Sequence, residues 1–254
     1  MIKALKARLL QKHRTVAYPE GKPQLPPLFR GKPAIAREKC TRCGKCVAVC
    51  PVQAISLSAF PRLDAGRCIF CGQCAAICPE EALRFTEDFS LAANAKENLV
   101  FPDKHMPAAP LDPKLLKLFA RSLRLRQVSA GGCGACEADI NVLSTVVFDL
   151  GRFGVQFVAS PRHADGLLIT GPVTKNMEQA VLDSYAALPE PKIVVAVGAC
   201  AISGGLFQGH PQTRGIPASV PVSLFVPGCP PHPLTILDGL LHLLGQIRTL
   251  NPTR

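Results

Sequence analysis

The sequence predicts an α/β chain built of two unlike parts. A small α+β module spans residues 36–86, and a parallel sheet covered by helices spans residues 122–254. Three observations carry this. A four-cysteine pattern occurs twice, Cys40-x2-Cys43-x2-Cys46-x3-Cys50-Pro51 and Cys68-x2-Cys71-x2-Cys74-x3-Cys78-Pro79, at a period of 28 residues. From residue 122, short apolar runs alternate with helix-length segments, the signature of strands buried on both faces. Between them, residues 87–121 place Pro102, Pro107, Pro110 and Pro113 within twelve residues, which marks a linker. With 254 residues, 48% of them hydrophobic and 19% charged, the chain can bury a core.

Each repeat has the spacing of a [4Fe–4S] cage. Three cysteines two residues apart wrap three corners of the cube, and the fourth, followed by proline, reaches the neighbouring cluster. The spacing therefore assigns Cys40, Cys43, Cys46 and Cys78 to one cluster, and Cys68, Cys71, Cys74 and Cys50 to the second. Zinc is the competing reading, but it ordinarily takes two CxxC pairs on separate knuckles rather than three thiols in one loop.

Residues 1–35 form a basic N-terminal helix and an extended arm. Ile2, Leu5 and Leu9 recur on one side of residues 1–12, with Lys3, Lys6, Arg8 and Lys12 elsewhere around it. An interfacial helix and a frayed terminus both fit that pattern. Pro19, Pro23, Pro26, Pro27 and Pro33 exclude regular helix from residues 15–39, so this stretch is expected to run over the surface of a partner. Residues 1–39 hold ten basic and two acidic residues, +8 of the chain's +11. An acidic partner or anionic lipid suits that charge. Nucleic acid does not, because the arm carries few aromatics and no binding module. Met1–Leu10 lacks the apolar core of a secretory signal, and no uncharged run reaches the length of a spanning helix. Twelve cysteines in such a chain point to a reducing, cytoplasmic setting with metal-held thiols.

After each cage comes a short apolar segment, Ala54–Leu57 and Ala82–Phe85, expected as small strands that pair beside each cluster. Ile69, Phe70 and Ile77 are expected to pack on the clusters. Asp112 and Pro113 read as N-cap and N1 of a helix whose apolar face is Leu115, Leu116, Leu118 and Phe119.

In the second half, strands are expected at Leu123–Ser129, Val155–Ala159, Gly166–Thr170, Ile193–Val197 and Val222–Val226. Helices are expected at Ala138–Leu150, Lys175–Leu188 and Pro233–Ile247. Ligands of such sheets sit beyond the carboxyl ends of the strands. The last four cysteines obey this: Cys133 and Cys136 follow the first strand, Cys200 the fourth and Cys229 the fifth. Four thiols converging on glycine-rich loops suit a third [4Fe–4S] cluster, since glycine lets backbone pass close and donate to sulfur. Three sets of four use every cysteine. Two remote cysteines argue against a thioredoxin-like dithiol at Cys133 and Cys136. Gly132-x-Gly134 lacks the third glycine of a dinucleotide loop. Asp165, Asp183 and Asp238 are expected to cap element ends or face solvent.

Three motifs carry a family resemblance. They are Gly132-Cys133-Gly134-Ala135-Cys136-Glu137, Val197-Gly198-Ala199-Cys200-Ala201-Ile202-Ser203-Gly204-Gly205, and Val226-Pro227-Gly228-Cys229-Pro230-Pro231-His232-Pro233. Together they resemble the small subunit of membrane-bound [NiFe] hydrogenases and the homologous 20 kDa subunit of respiratory complex I. The first half, with Tyr18-Pro19 and Phe29-Arg30-Gly31-Lys32-Pro33 ahead of the cages, resembles the two-cluster ferredoxin subunit of the same complexes, that of formate hydrogenlyase above all. The resemblances cover residues 14–95 and 122–248, as two subunits in one chain. They imply a flavodoxin-like sheet domain behind a bacterial-type 2[4Fe–4S] ferredoxin domain.

The complex I subunit has adjacent cysteines at the first ligand position, whereas Cys133-x2-Cys136 is the hydrogenase spacing. The resemblance accordingly implies an electron-transfer subunit with three [4Fe–4S] clusters and no catalytic residue of its own. Implied partners are a separate [NiFe] large subunit, membrane subunits, and an upstream donor such as a formate or carbon monoxide dehydrogenase. The expected location is peripheral, on the cytoplasmic face of the inner membrane. A complex I-like quinone oxidoreductase, or a nickel-free relative, is the rival. An iron–sulfur sensor that binds nucleic acid is the remoter one. The resemblance places Glu137 near the large subunit, in a proton path or at the interface; a plain helix-N-terminus acid fits equally. His232 reads either as a donor to cluster sulfur or as a surface histidine.

Overall fold

A computed structural model describes residues 2–12 and 14–247. Helix α1 (Ile2–Gln11) buries no residue: Ile2, Leu5, Leu9 and Leu10 are all exposed. Of the helix expected over residues 1–12, Met1 lies outside the described residues.

The cysteine module is a pair of small sheets around two one-turn helices. Strand β1 (Pro33–Ile35) precedes α2 (Lys45–Ala48), β2 (Ile55–Leu57) and β3 (Pro61–Asp64). Then come α3 (Gln73–Ala76) and β4 (Leu83–Phe85). The two post-cage segments do not pair with each other. β2 pairs antiparallel with β3, and β4 pairs antiparallel with β1. β4 thus draws the end of the arm, Pro33–Ile35, into its sheet.

The proline-rich stretch is packed rather than loose. Strand β5 (Val100–Phe101) joins β3, and Leu91, Ala92, Ala93, Leu99, Phe101 and Ala108 are buried. Prolines stop helix here, but they do not stop apolar side chains from finding a core. Helix α4 (Pro113–Phe119) follows, with the Asp112 carboxylate accepting the N–H groups of Lys114 and Leu115 at 2.9 and 3.2 Å.

The second half holds β6 (Leu123–Ser129), α5 (Ala135–Val142), β7 (Val155–Phe157), β8 (Gly166–Thr170) and α6 (Glu178–Ala186). It continues with β9 (Ile193–Val197), α7 (Ala199–Ser203), β10 (Leu224–Val226) and α8 (Pro233–Leu243). Five parallel strands lie in the order β10-β9-β8-β6-β7, the flavodoxin-like arrangement with its switch point between β6 and β8. Alternation along the strands divides the core. Leu168, Val195 and Val197 pack with α5 and α8, while Leu167, Ile169 and Val194 pack on α6. Every residue of α8 is buried.

Helices α5, α6 and α8 are shorter than expected. α5 stops at Val142 because a β-branched run follows and Thr145 turns its hydroxyl back to the Val142 carbonyl, at 2.7 Å. α8 stops because Gly245, at φ +64, closes a Schellman turn: the Gly245 and Gln246 N–H groups donate to the carbonyls of His242 and Leu241.

Backbone and side-chain contacts tie the halves together. Ala93 makes an antiparallel bridge to Phe225 of the edge strand β10, with N–H···O distances of 3.0 and 2.8 Å. The arm, expected to lie over a partner, instead lies along its own chain. Val16 N–H donates to Val147 O at 2.8 Å, and Arg152 donates to the carbonyls of Val16 and Tyr18. Asp238 also departs from expectation. It is 3% exposed within α8 and accepts from the Tyr18 and Ser90 hydroxyls, at 2.5 and 2.7 Å. Asp165 joins elements rather than ending one, accepting the Arg124 N–H of β6 at 2.7 Å. Asp183, on exposed α6 surface, accepts from Gln179. Burial, and then the Asp238 carboxylate, pushes the Tyr18 phenol above its ordinary range. Removing that donor should loosen the arm. We expect Tyr18→Phe to cost about 1–2 kcal/mol and to raise the open population of residues 14–32 roughly 5- to 30-fold, seen as faster limited proteolysis there.

Candidate iron–sulfur sites

Each cage loop folds the same way. Gly44 and Gly72 take left-handed conformations (φ +75 and +79) that start α2 and α3, so the loop reverses and its three thiols face inward. The proline after the fourth cysteine then turns the chain toward β2 or β4.

Three cavities result. Cys40, Cys43, Cys46 and Cys78 line the first. Cys50, Cys68, Cys71 and Cys74 line the second, walled by Ile55, Leu63 and Phe85. Cys133, Cys136, Cys200 and Cys229 line the third, at the carboxyl ends of β6, β9 and β10. All twelve cysteines are free of disulfides. Among the described residues no three His, Cys, Asp or Glu groups are placed to hold a single metal ion.

The donor chemistry fits an iron–sulfur cube in each cavity. Burial pushes the thiols up: Cys68 and Cys136 to about 12, Cys74 and Cys200 to about 11, with neighbouring thiolates adding to the rise at each. At Cys136 the Glu137 carboxylate is the first of those neighbours. Cys46 and Cys229 are raised for the same first reason. Crowded thiolates of this kind need a cationic core between them. Backbone also points at sulfur. Ala54 N–H donates to Cys50 at 3.2 Å, and Ala82 N–H to Cys78 and Phe70 N–H to Cys68, both at 3.3 Å. At the third cavity, a Cβ on Gly198 (φ +92) would stand 2.6 Å from Cys136 Sγ, so only glycine leaves that thiol in place.

Glu137 lies in the first turn of α5 and accepts from the Ser129 and Thr170 hydroxyls at 2.5 and 2.6 Å. Burial would raise its carboxyl, but these two bonds and its own N–H outweigh that and hold it below the ordinary value. His232 is not a free surface group. It is half-buried, caps α8 by accepting the Leu234 N–H on Nδ1 at 3.2 Å, and meets the Phe29 ring edge-on; burial lowers its pKa. Of the three residues expected to pack on the clusters, Ile69 and Phe70 are half-buried and Ile77 is 45% exposed.

Sequence reasoning passed over one group. Arg30, from the arm, points its guanidinium toward Phe70 O at 3.5 Å. With Phe29, Ile69 and Phe70 it walls a cleft whose far side is Cys229 and Pro230. One cation among the ten of residues 1–39 has no spacing that singles it out, although Arg30 does lie within the Phe29–Pro33 stretch of the resemblance.

Comparison with known proteins agrees with this anatomy. The family described as NADH ubiquinone oxidoreductase, 20 kDa subunit, matches residues 133–243, and a 4Fe-4S dicluster domain matches residues 39–83. The probable membrane-bound hydrogenase subunit mbhJ of Pyrococcus furiosus is 43% identical over 135 residues, covering 53% of this chain and 81% of that protein. Formate hydrogenlyase subunit 7 of Escherichia coli is 42% identical over 140 residues, 55% of each chain. An NADH-quinone oxidoreductase subunit of Citrifermentans bemidjiense is 45% identical over 116 residues, 46% of this chain and 68% of that one. The chain belongs to the 20 kDa subunit family of NADH ubiquinone oxidoreductase, with a 4Fe-4S dicluster domain ahead of it.

The two cage glycines give a paired test. Alanine at either position incurs about 1–2 kcal/mol for its left-handed backbone. At Gly44 a Cβ meets nothing within 4 Å, whereas at Gly72 it would stand 2.6 Å from the Arg30 side chain. Urea denaturation should therefore show Gly72→Ala losing more stability than Gly44→Ala.

Proposed function

We propose that this chain is the electron-transfer subunit of a membrane-bound [NiFe] hydrogenase complex of the formate hydrogenlyase type. The observation that carries the reading is the third thiol set. Cys133 and Cys136 are two residues apart rather than adjacent, and they share a cavity at the sheet's carboxyl edge with Cys200 and Cys229. The hydrogenase and hydrogenlyase relatives support the context.

Three [4Fe–4S] clusters, on Cys40, Cys43, Cys46 and Cys78, on Cys50, Cys68, Cys71 and Cys74, and on Cys133, Cys136, Cys200 and Cys229, supply one-electron transfer when bound. The chain's own residues set the environment. Ile55, Leu63 and Phe85 keep water from the second set, and N–H groups of residues 54, 70 and 82 stabilise thiolate charge. Ile69 and Phe70, which lie between Cys68 and Cys71 in the chain, share a cleft with Arg30 and with Cys229 of the third set, and on this reading electrons pass from the second set to the third there. Cys133 and Cys229 are exposed, which leaves the third set open toward a large subunit carrying nickel and iron. Glu137, held ionised by two hydroxyls, is placed to bond that subunit. Among the described residues no helix is long and apolar enough to cross a membrane; on this reading the chain is held at the cytoplasmic face by membrane subunits, with the exposed basic helix α1 free to meet them.

The similarity to an NADH-quinone oxidoreductase subunit favours a second reading, with quinone or a nickel-free partner as the other terminus. The complex purified anaerobically decides between them. Nickel in a co-purifying large subunit, with H2 evolution from a reduced donor, is expected. Quinone-dependent turnover without nickel or H2 exchange would overturn the hydrogenase reading. Within the chain, the crossed ligand sets should appear in electron paramagnetic resonance. Cys78→Ser should alter the signal of the Cys40, Cys43 and Cys46 site, and Cys50→Ser that of the Cys68, Cys71 and Cys74 site.

A further inference from the structure

The two cages share a backbone, but the glycines that turn them have different neighbours. Gly44 and Gly72 hold matched left-handed positions, φ +75 and +79. A Cβ on Gly44 would meet nothing within 4 Å, whereas one on Gly72 would stand 2.6 Å from Arg30 Nε and 3.1 Å from its Cζ. Arg30 also points Nη1 toward Phe70 O at 3.5 Å. A guanidinium from the arm thus rests on the loop of Cys68, Cys71 and Cys74. The residues beside Arg30 fix it there. Gly31 N–H donates to Thr86 O at 2.8 Å, and Lys32 N–H donates to Asp88 O at 2.7 Å. A Cβ on Gly31 would overlap the Asp88 carbonyl, so glycine permits that approach. On the other side, Phe29 meets the His232 ring edge-on, with centroids 5.3 Å apart. Among the described residues Arg30 makes no ion pair, and Asp139 lines the same cleft without reaching it.

We propose that Arg30 is a tuning cation for the cluster held by Cys50, Cys68, Cys71 and Cys74, raising its reduction potential. That cluster gains one negative charge when it accepts an electron, and loses it when the electron moves on to the third set. A fixed positive charge on its loop stabilises the reduced form. Guanidinium stays charged across the working pH range, so the bias needs no proton. Arg30 is exposed, so solvent screens its field and the effect is moderate. Gly72 serves twice on this account, as the left-handed turn of the cage and as the room the arginine occupies. This inference rests on the proposed role as an electron-transfer subunit, since it requires a cluster in the second set.

The test is a redox titration of the complex purified anaerobically, followed by electron paramagnetic resonance, with signals assigned through Cys78→Ser and Cys50→Ser. Arg30→Gln should make the one-electron reduction of the second set about three- to tenfold less favourable, a midpoint lowered by about 28–59 mV. Arg30→Lys, which keeps the charge, should restore more than half of that shift. The first set, whose Gly44 has no such neighbour, should keep its midpoint. The Arg30→Gln shift should shrink as salt rises past about 0.1 M, which a packing role would not produce. An Arg30→Gln protein with full iron content and an unmoved second midpoint would overturn the proposal. So would equal shifts in both sets, or an Arg30→Lys shift as large as that of Arg30→Gln. Leu28 lines the same cleft and is 82% exposed, so Leu28→Glu sets a carboxylate beside Arg30 with little loss of packing. It decides the matter if Arg30→Gln does not assemble: a lowered second midpoint supports the proposal, and an unmoved one overturns it. Iron content separates this inference from the function reading. A wild-type second set without a cluster sinks both, whereas full iron with an unmoved midpoint sinks the tuning by Arg30 alone.

Discussion

The arrangement depends on one short antiparallel bridge. Ala93 exchanges both backbone hydrogen bonds with Phe225, and so adds the tail of the cysteine module to the edge of the parallel sheet. An edge strand presents unpaired N–H and C=O groups that must be covered or paired. Here the chain covers its own edge, four residues ahead of Cys229. The bridge thus sets how far the module's second thiol set stands from the sheet's set. Ala196, Ala201, Ile202 and Phe225 of the sheet domain share a buried cluster with Leu63, Leu91, Leu99 and Phe101 of the module and its tail, so the joint is a core rather than a tether.

The arm reinforces the same joint from the other side. Tyr18 and Ser90 meet on Asp238 inside α8, which links the arm, the module's tail and the helix that follows Cys229. A carboxylate buried in a helix is costly unless its oxygens are satisfied, and here both are. Phe29 and Arg30 of the arm then line the cleft beside Cys229. A proline-rich segment expected to run over a partner is a strap across its own chain.

Much of this was legible in the sequence. Three of the five sheet strands fall on their expected bounds, because parallel strands buried on both faces read as uninterrupted apolar runs such as Ile193–Val197. The cysteine sets that share cavities were legible through spacing and through the rule that sites lie beyond strand ends. The arm's course was not legible, because its contacts are backbone hydrogen bonds and a few long-range side chains with no period. Asp238 was misjudged since its partners lie 220 and 148 residues away. His232 was misjudged because a histidine flanked by prolines looks exposed until the helix it caps is in view. The length of α5 was overstated because apolar Val146 and Val147 look helical by period, although β-branching and Thr145 end the helix before them.

The duplication shows how one local fold serves two surroundings. Gly44 and Gly72 keep the loops superimposable in backbone, while Arg42 and Phe70 at their tips set one loop toward solvent and the other toward the chain. The central claim is that all twelve thiols hold iron–sulfur cubes, the last of them at the sheet's edge. Iron and acid-labile sulfide, quantified with Mössbauer spectra on anaerobically purified protein, test it most directly. The account requires about twelve of each per chain, all in tetranuclear clusters. About eight irons, with zinc or nothing at the thiols of Cys133, Cys136, Cys200 and Cys229, would contradict it.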